Sequence, residues 1–470
     1  MESDGQRRLW WDQETGEEGL TSSNDTLFAL SSGFGRSAVA VVRISGPGAR
    51  GCVAAIAGEL PEPRRASLRH LRDPESGRLL DRGLVLWFPG PGSFTGEDMV
   101  EFQLHGGRAV VAAMLAALEK LPGLRPAEPG EFTRRAFDNG RMDLAAVEGL
   151  ADLIDADTEA QRRQAIAQAE GALGRAVEAW ASRLTGILAR VEAAIDFVEE
   201  ELPEDLLSQA AEDAADLRRE LEGLLARPPV GERLREGLQI AILGPPNAGK
   251  SSLLNALAGR EAAIVSERAG TTRDVVEVAL DLGGYPLLLA DTAGLRAAPE
   301  EEELDPIEAE GIRRSLARAE SADLKLLLFD ATTARAPDPA SLALLDENTL
   351  VLWNKVDLIS EDLPRQLGPA AALPISAKSG LGLQELEDRL QQEVEERFAL
   401  GGEAPLITRS RQRSAIRDCA EALSRAEEAG EAALFAEDLR LALRALGRIV
   451  GKVDVEDLLD VIFRDFCIGK

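Results

Sequence analysis

The chain is short of several things, and each shortage excludes something. It has three cysteines in 470 residues, Cys52, Cys419 and Cys467, far apart and with no Cys-x-x-Cys pair. It has two histidines, His70 and His105. A disulfide framework needs paired cysteines and a zinc site needs clustered ligands, so neither is expected. A reducing cytoplasm suits such a chain. No apolar run approaches the ~18–20 residues that span a bilayer, so no membrane segment is expected. Residues 1–23 are polar and acidic around Trp10-Trp11. They lack the basic start and apolar core of a signal peptide and are expected to form a disordered extension. Basic residues are scarce too: 53 Lys and Arg against 82 Asp and Glu give a formal net charge of −29. Nucleic-acid binding driven by overall charge is thereby excluded. Any RNA contact needs a local basic patch or a basic partner. At this length roughly three domains can each bury a core.

What is present is an ordered set of guanine-nucleotide boxes. Gly244-Pro-Pro-Asn-Ala-Gly-Lys-Ser251 comes first, then Thr271-Thr272, Asp291-Thr-Ala-Gly294, Asn354-Lys-Val-Asp357 and Ser376-Ala-Lys378. The first follows an apolar strand pattern, Leu238–Leu243, and opens a helix at Ser252, the context a P-loop requires. Its glycines let backbone N–H groups of Asn247, Ala248, Gly249 and Ser252 wrap phosphates. Lys250 is expected to reach the β- and γ-phosphates and Ser251 to bind Mg²⁺. Thr272 is the candidate to close on the γ-phosphate and complete the Mg²⁺ shell. Asp291 ends a strand as the metal-side acid, Thr292 and Ala293 continue its box, and Gly294 can donate its N–H.

Asn354-Lys355-Val-Asp357 specifies the base. Guanine presents two donors on its Watson–Crick edge, and the Asp357 carboxylate accepts both; adenine would leave it unpaired. Ala377, between Ser376 and Lys378, can offer an N–H to the guanine oxygen. One absence matters. Ras-like switches carry a water-orienting Gln after Asp-x-x-Gly, and here Leu295 stands there. Either hydrolysis is poor or another group supplies the function. Two features bear on that: Asn247, whose side-chain oxygen could coordinate a monovalent cation, and the acidic segment Glu300–Glu308, one of whose carboxylates could orient water.

Short β-rich runs over 25–120 (Val39–Ile44, Leu84–Phe88, Met99–Leu104) and a helical Ala109–Leu121 predict an α+β domain. From Leu144 to Leu225 apolar residues recur at helical spacing, and Pro228-Pro229 then breaks the pattern. Residues 238–395 alternate strands and helices, with strands expected at Leu238–Leu243, Val275–Leu282, Leu287–Ala290, Leu324–Phe329, Thr349–Trp353 and Leu373–Ile375. The chain is helical again after Gly401-Gly402. The expected organisation is an α+β N-terminal domain (24–139), a discontinuous all-α helical domain (140–232 and 397–470) and an inserted α/β P-loop GTPase domain (233–396).

These boxes, with Phe466-Cys-Ile-Gly-Lys470, Pro129-Gly-Glu-Phe-Thr-Arg-Arg-Ala-Phe137, Asn139-Gly-Arg-Met-Asp-Leu144, Phe94-Thr-Gly-Glu-Asp98, His105-Gly-Gly107 and Arg43-Ile-Ser-Gly46, resemble the MnmE (TrmE) family of tRNA-modification GTPases over roughly residues 24–470. The resemblance implies an N-terminal folate-binding and dimerising domain, a two-part helical domain and K⁺-stimulated GTP hydrolysis. It implies a heterotetramer with the flavoprotein MnmG. That complex adds an aminomethyl or carboxymethylaminomethyl group to carbon 5 of the tRNA wobble uridine, with the one-carbon unit coming from a 5-formyl- or methylene-tetrahydrofolate. Carried over by residue, Asn247, Ser266, Arg268 and Thr271 would hold K⁺. Ser251 and Thr272 would hold Mg²⁺, and Glu308 would orient water. Arg43, Glu101, Arg141 and Lys470 would form the folate site.

Two departures stand out. Arg141 occupies a position where the family commonly has Lys, and Ser31–Ala38 lacks the expected Pro-Pro-Gly-Arg-Gly-Gly character. Cys467 is either a catalytic thiol or a small semi-buried residue. Arg409-Ser-Arg-Gln-Arg413 is either a helix face packed on acids or a tRNA phosphate contact. The competing reading is a K⁺-dependent ribosome-assembly GTPase without modification chemistry.

Overall fold

The computed structural model describes residues 25–33, 35–196, 205–259, 263–264, 277–291, 322–333, 342–360, 363–398, 404–453, 456–464, 466 and 468–469. Contacts divide the chain into two units. The first gathers an N-terminal segment ending at Ala151, Gln168–Arg227 and a C-terminal segment beginning at Arg411. The second gathers Asp152–Ala167 and Pro228–Ser410.

In the first unit, β1 (Thr26–Leu30), β2 (Val39–Ser45), β3 (Ser67–Arg72), β4 (Leu79–Phe88), β5 (Met99–His105) and β6 (Leu124–Pro126) form one sheet, ordered β3-β4-β5-β2-β1-β6. Only β1 and β6 pair in parallel. Strand alternation sets its two faces. Val42, Ile44, Val100 and Phe102 are buried with Ala49, Val53 and Ile56 of α1 (Ala49–Ile56) and Met114 and Leu118 of α2 (Arg108–Glu119). Val41, Arg43, Glu101 and Gln103 take the alternate positions and are half-buried. Arg43 lies opposite Glu101 in the ladder.

The same unit contains α3 (Glu131–Asp138), the long α6 (Ala172–Asp196), α7 (Leu206–Leu225) and α12 (Ala432–Val450). α6 packs along both α7 and α12. It buries Val177, Leu184, Leu188 and Val191, one stripe at helical spacing. Around Leu144 at the start of α4 (Leu144–Ile154), a smaller core joins Val147 to Leu459 and Phe463 of α13 (Glu456–Arg464) and to Phe466.

The second unit is built on an eight-stranded sheet, ordered β13-β14-β12-β11-β7-β10-β9-β8. Its middle strands are β14 (Ala370–Pro374), β12 (Thr349–Asn354), β11 (Leu324–Asp330), β7 (Leu238–Leu243) and β10 (Tyr285–Asp291), all parallel. β13 (Gln366–Leu367) pairs antiparallel at one edge, and β9 (Glu277–Leu282) and β8 (Ala263–Ile264) do so at the other. β7 is buried along nearly its whole length, as a parallel strand covered on both faces must be. Ile240, Ile242, Leu326 and Leu328 belong to one core, and Ala241, Leu243, Leu327 and Phe329 to the other.

Three expectations need correction. The last strand runs Ala370–Pro374 rather than Leu373–Ile375. Ile375 still donates its N–H to Trp353 O at 2.7 Å, but its run ends at Pro374. The helix after the P-loop begins at Lys250, two residues before Ser252. Strands β1, β3, β6, β8 and β13 were not anticipated.

Candidate guanine-nucleotide site

The loop between β7 and α9 (Lys250–Ala258) is shaped by two glycines. Gly244 has φ 140°, and a Cβ there would stand 2.2 Å from Leu328 O. Gly249 has φ 102°, and a Cβ there would stand 2.2 Å from Asn354 Nδ2. Only glycine passes both positions. Asn247 takes a left-handed φ of 62° and is exposed. Lys250 is 8% exposed, and its Nζ donates to Gly244 O at 2.9 Å and Pro245 O at 3.0 Å. Ser251 and Ser252 sit exposed on the first turn of α9. There the first-turn N–H groups and the positive end of the helix dipole favour an anion.

The loop that follows β12 grips that loop directly. Asn354 closes β12 and is 2% exposed. Its Nδ2 donates to Ala248 O at 2.7 Å, and its Oδ1 accepts from Ala377 N–H at 3.0 Å. Lys355 has φ 67°, and its Nζ donates to Asn247 O at 2.9 Å. Asp357 and Lys378 are exposed beside this junction, and Ala377 is half-buried. Ser376 is buried, its hydroxyl accepting from Ser379 N–H at 3.1 Å to hold the turn. Asp291 ends β10 opposite Ile242 of β7. All these residues lie at the carboxyl ends of parallel strands, where open α/β sheets bind ligands.

Sequence reasoning missed Asp330. It ends β11 opposite Asn354 of β12, and its Oδ2 accepts from Lys355 Nζ at 2.6 Å. Oδ1 accepts from Thr332 N–H at 2.9 Å and from the Thr332 hydroxyl at 2.7 Å. Partial burial acts to raise its pKa, but the Lys355 ammonium and both Thr332 donors outweigh it and hold the carboxyl below its ordinary range. An acid closing the apolar run Leu324–Phe329 was the available signal.

A second constellation lies on the N-terminal sheet. Arg43 donates to Glu101 Oε1 from Nε at 3.1 Å and Nη2 at 3.0 Å, and from Nη1 to Gly469 O at 3.4 Å. Its guanidinium stands 5.6 Å from the Phe94 ring centre and 5.8 Å from that of Phe132. Ser31 Oγ also donates to Gly469 O, at 2.9 Å. A Cβ on Gly96 would stand 3.3 Å from Cγ of the exposed Arg141. The buried Arg135 of α3 was also missed. It reaches Glu97 at 3.0 Å and Asp25 at 2.7 Å.

The basic stretch at 409–413 packs on acids. Arg411 makes two 2.6 Å bonds to the buried Glu148, and Gln412 adds a third at 2.9 Å. Arg409 reaches Asp152 at 2.7 Å, and Arg413 the carbonyl of Leu225 at 3.2 Å. Ser266, Arg268, Thr271, Thr272, Thr292, Ala293, Gly294, Glu308, Cys467 and Lys470 lie outside the described residues.

Comparison with known families decides the identity. The profile of the MnmE helical domain matches residues 144–467, and that of the N-terminus of the GTP-binding protein TrmE matches residues 26–141. The chain belongs to the MnmE family of tRNA modification GTPases. Members from Paramagnetospirillum magneticum and Parvibaculum lavamentivorans are 54% and 55% identical to it, over 95% of this chain and 100% of each relative. One from Methylobacterium sp. strain 4-46 is 56% identical over the same shares. As an MnmE-family protein the chain binds GTP and is a GTPase. The TrmE N-terminal match takes in Arg43, Glu101 and Arg141. Among the described residues of this MnmE-family chain no helix is long and apolar enough to cross a membrane. No cluster of three His, Cys, Asp or Glu side chains is found among them either.

Proposed function

We propose that this GTPase serves the C5 modification of the wobble uridine in tRNA. With the flavoprotein MnmG it adds an aminomethyl or carboxymethylaminomethyl group whose carbon comes from a tetrahydrofolate. The observation that carries the nucleotide half is the double clamp of Asn354 and Lys355 on the carbonyls of Ala248 and Asn247. It couples choice of base to the shape of the phosphate loop. Asp357 accepts the two guanine donors, Ala377 N–H donates to the guanine oxygen, and Lys250 exchanges its loop carbonyls for phosphate oxygens.

Ser251 and Thr272 are the residues to hold Mg²⁺. Asn247, Ser266, Arg268 and Thr271 are those to hold K⁺, and Glu308 to orient water. The exposed Asn247 and Ser251 suit these roles, since both keep oxygen donors at the loop surface. Bound there, the two cations would neutralise phosphate charge as an arginine finger does elsewhere.

The folate half rests on Arg43, paired with Glu101 and with its guanidinium beside the Phe94 and Phe132 rings. A guanidinium, a carboxylate and the half-buried Phe94 ring match a flat, polar heterocycle with carboxylates. Arg141 and Lys470 would add charge for those carboxylates. The sheet face carrying Arg43 also carries the cross-strand row Val41, Gln103, Leu84 and Leu68, apolar but for Gln103, with Leu68 51% exposed. That row supports dimerisation through the N-terminal domain. The test is nucleoside mass spectrometry of bulk tRNA from cells with and without the protein. Loss of the C5 adduct on deletion is expected; an unchanged wobble uridine overturns the proposal.

A further inference from the structure

Asp330 lies outside every nucleotide box. Yet it touches Lys355, the box residue that donates to the P-loop carbonyl of Asn247. Lys355 sits on a left-handed backbone and must send a long, freely rotating stem to Asn247 O. Nothing in the stem itself fixes that course. The Asp330 carboxylate does, at 2.6 Å from Nζ, and it is in turn fixed by the two donors of Thr332. The strands add a further constraint. Ala331 N–H donates to Asn354 O at 2.9 Å, so the backbone carrying Asp330 is tied to the backbone carrying the clamp. Asp330 is little exposed, with 16% of its side-chain surface accessible. The pair therefore differs from a surface ion pair of two mobile chains.

We propose that Asp330 is a positioning residue for guanine-nucleotide binding, holding the Lys355 ammonium against the P-loop carbonyl of Asn247. It touches neither base nor phosphate in this role; it acts through Lys355.

Charge and position make opposite predictions here. A nucleotide is an anion, so deleting a nearby negative charge on Coulomb grounds alone tightens binding. If Asp330 instead orders Lys355, deleting its charge loosens binding. The experiment uses the full chain and a fluorescent GDP analogue. Its dissociation rate is read by stopped flow for wild type, Asp330→Asn, Lys355→Ala and the double variant. Asp330→Asn is expected to release the nucleotide about tenfold faster, the scale of a lost hydrogen bond to a charged group. In the Lys355→Ala background the same change is expected to alter the rate by less than about twofold, because the two residues act as one unit. Steady-state GTP turnover is expected to show KM rising more than kcat falls.

A rate in Asp330→Asn equal to or slower than wild type overturns the proposal. So does an equal factor in both backgrounds, which would mean that Asp330 acts without Lys355. Should Asp330→Asn fail to fold by circular dichroism, Thr332→Val takes its place. That variant removes one of the two donors and leaves the charge. About threefold faster release is then expected, and an unchanged rate overturns the proposal.

Discussion

Asn354 ties the P-loop to the loop after β14 through one amide, donating to Ala248 O at 2.7 Å while accepting from Ala377 N–H at 3.0 Å. Both partners are backbone groups of loops that cannot shift toward water without unmaking the site. Asn354→Ala leaves a carbonyl and an N–H without these partners, at about 1–3 kcal/mol each. GDP and GTP affinity should fall at least about tenfold, measured by isothermal titration. Retained affinity would show that the two loops hold their shape without the amide.

GTP hydrolysis should run faster in KCl than in NaCl at equal ionic strength. Asn247 is exposed on a left-handed turn at the mouth of the loop, and Leu295 cannot orient water. Asn247→Ala should lose most of the K⁺ stimulation while keeping GTP affinity within about threefold. Phosphate-release assays in the two salts decide it; equal rates for the wild type would remove the cation from the mechanism.

Two of the thiols should be silent. Cys52 is 1% exposed and burial pushes its pKa to about 12, while Cys419 is fully buried and its thiol is pushed up as well. A thiol becomes a nucleophile only as the thiolate. A native Cys467→Ser variant should therefore give no rapid reaction with a chromogenic disulfide at pH 8. Its two remaining thiols should appear on adding denaturant. A fast native thiol in that variant would place Cys52 or Cys419 in an opening segment.

Asp143 caps α4, accepting from Ala146 N–H at 2.7 Å. It presses so close to α6 that a Cβ on Gly174 would stand 1.9 Å from its Oδ2. Burial raises its pKa above the ordinary value. A carboxyl with a raised folded pKa destabilises the fold when ionised; that penalty is complete above the folded pKa and vanishes below the unfolded one. Asp143→Asn keeps the cap and removes the charge. Its melting temperature should exceed the wild type's at pH 8, with the gap closing as pH falls through the raised pKa toward 4. A gap of the same size at both ends would refute the ionised carboxyl as the cause.

The parts of this molecule legible in the sequence are those written contiguously. The P-loop, the Asn-Lys-x-Asp box and the apolar strand Leu238–Leu243 each carry their geometry in neighbouring residues. β3 was invisible because Ser-Leu-Arg-His-Leu-Arg leaves only Leu71 fully buried. β6 was invisible because it is three residues long and ends in proline. Asp330 lies 25 positions from Lys355, and Arg135 lies 110 from Asp25. Such partners meet only through strand order, which no local pattern encodes. The expectation for 409–413 stood open between acids and RNA because Glu148 and Asp152 reach it across more than 250 positions. The fold closes that gap.

The bond from Ser31 to Gly469 spans 438 positions, and that distance has a consequence for how the protein comes into being. The segment Pro228–Ser410, with its own sheet and cores, is synthesised entirely between those two residues. It can fold while its host unit still lacks residues 411–469. The host is completed only afterwards, by chain that emerges late and must find a strand made at the outset. Closing so long a loop is slow when the interior is flexible chain. An interior already folded brings the ends of its segment together first. Mutations that slow folding of the nucleotide unit should therefore delay the appearance of the Arg43 site, although no residue of that site has changed.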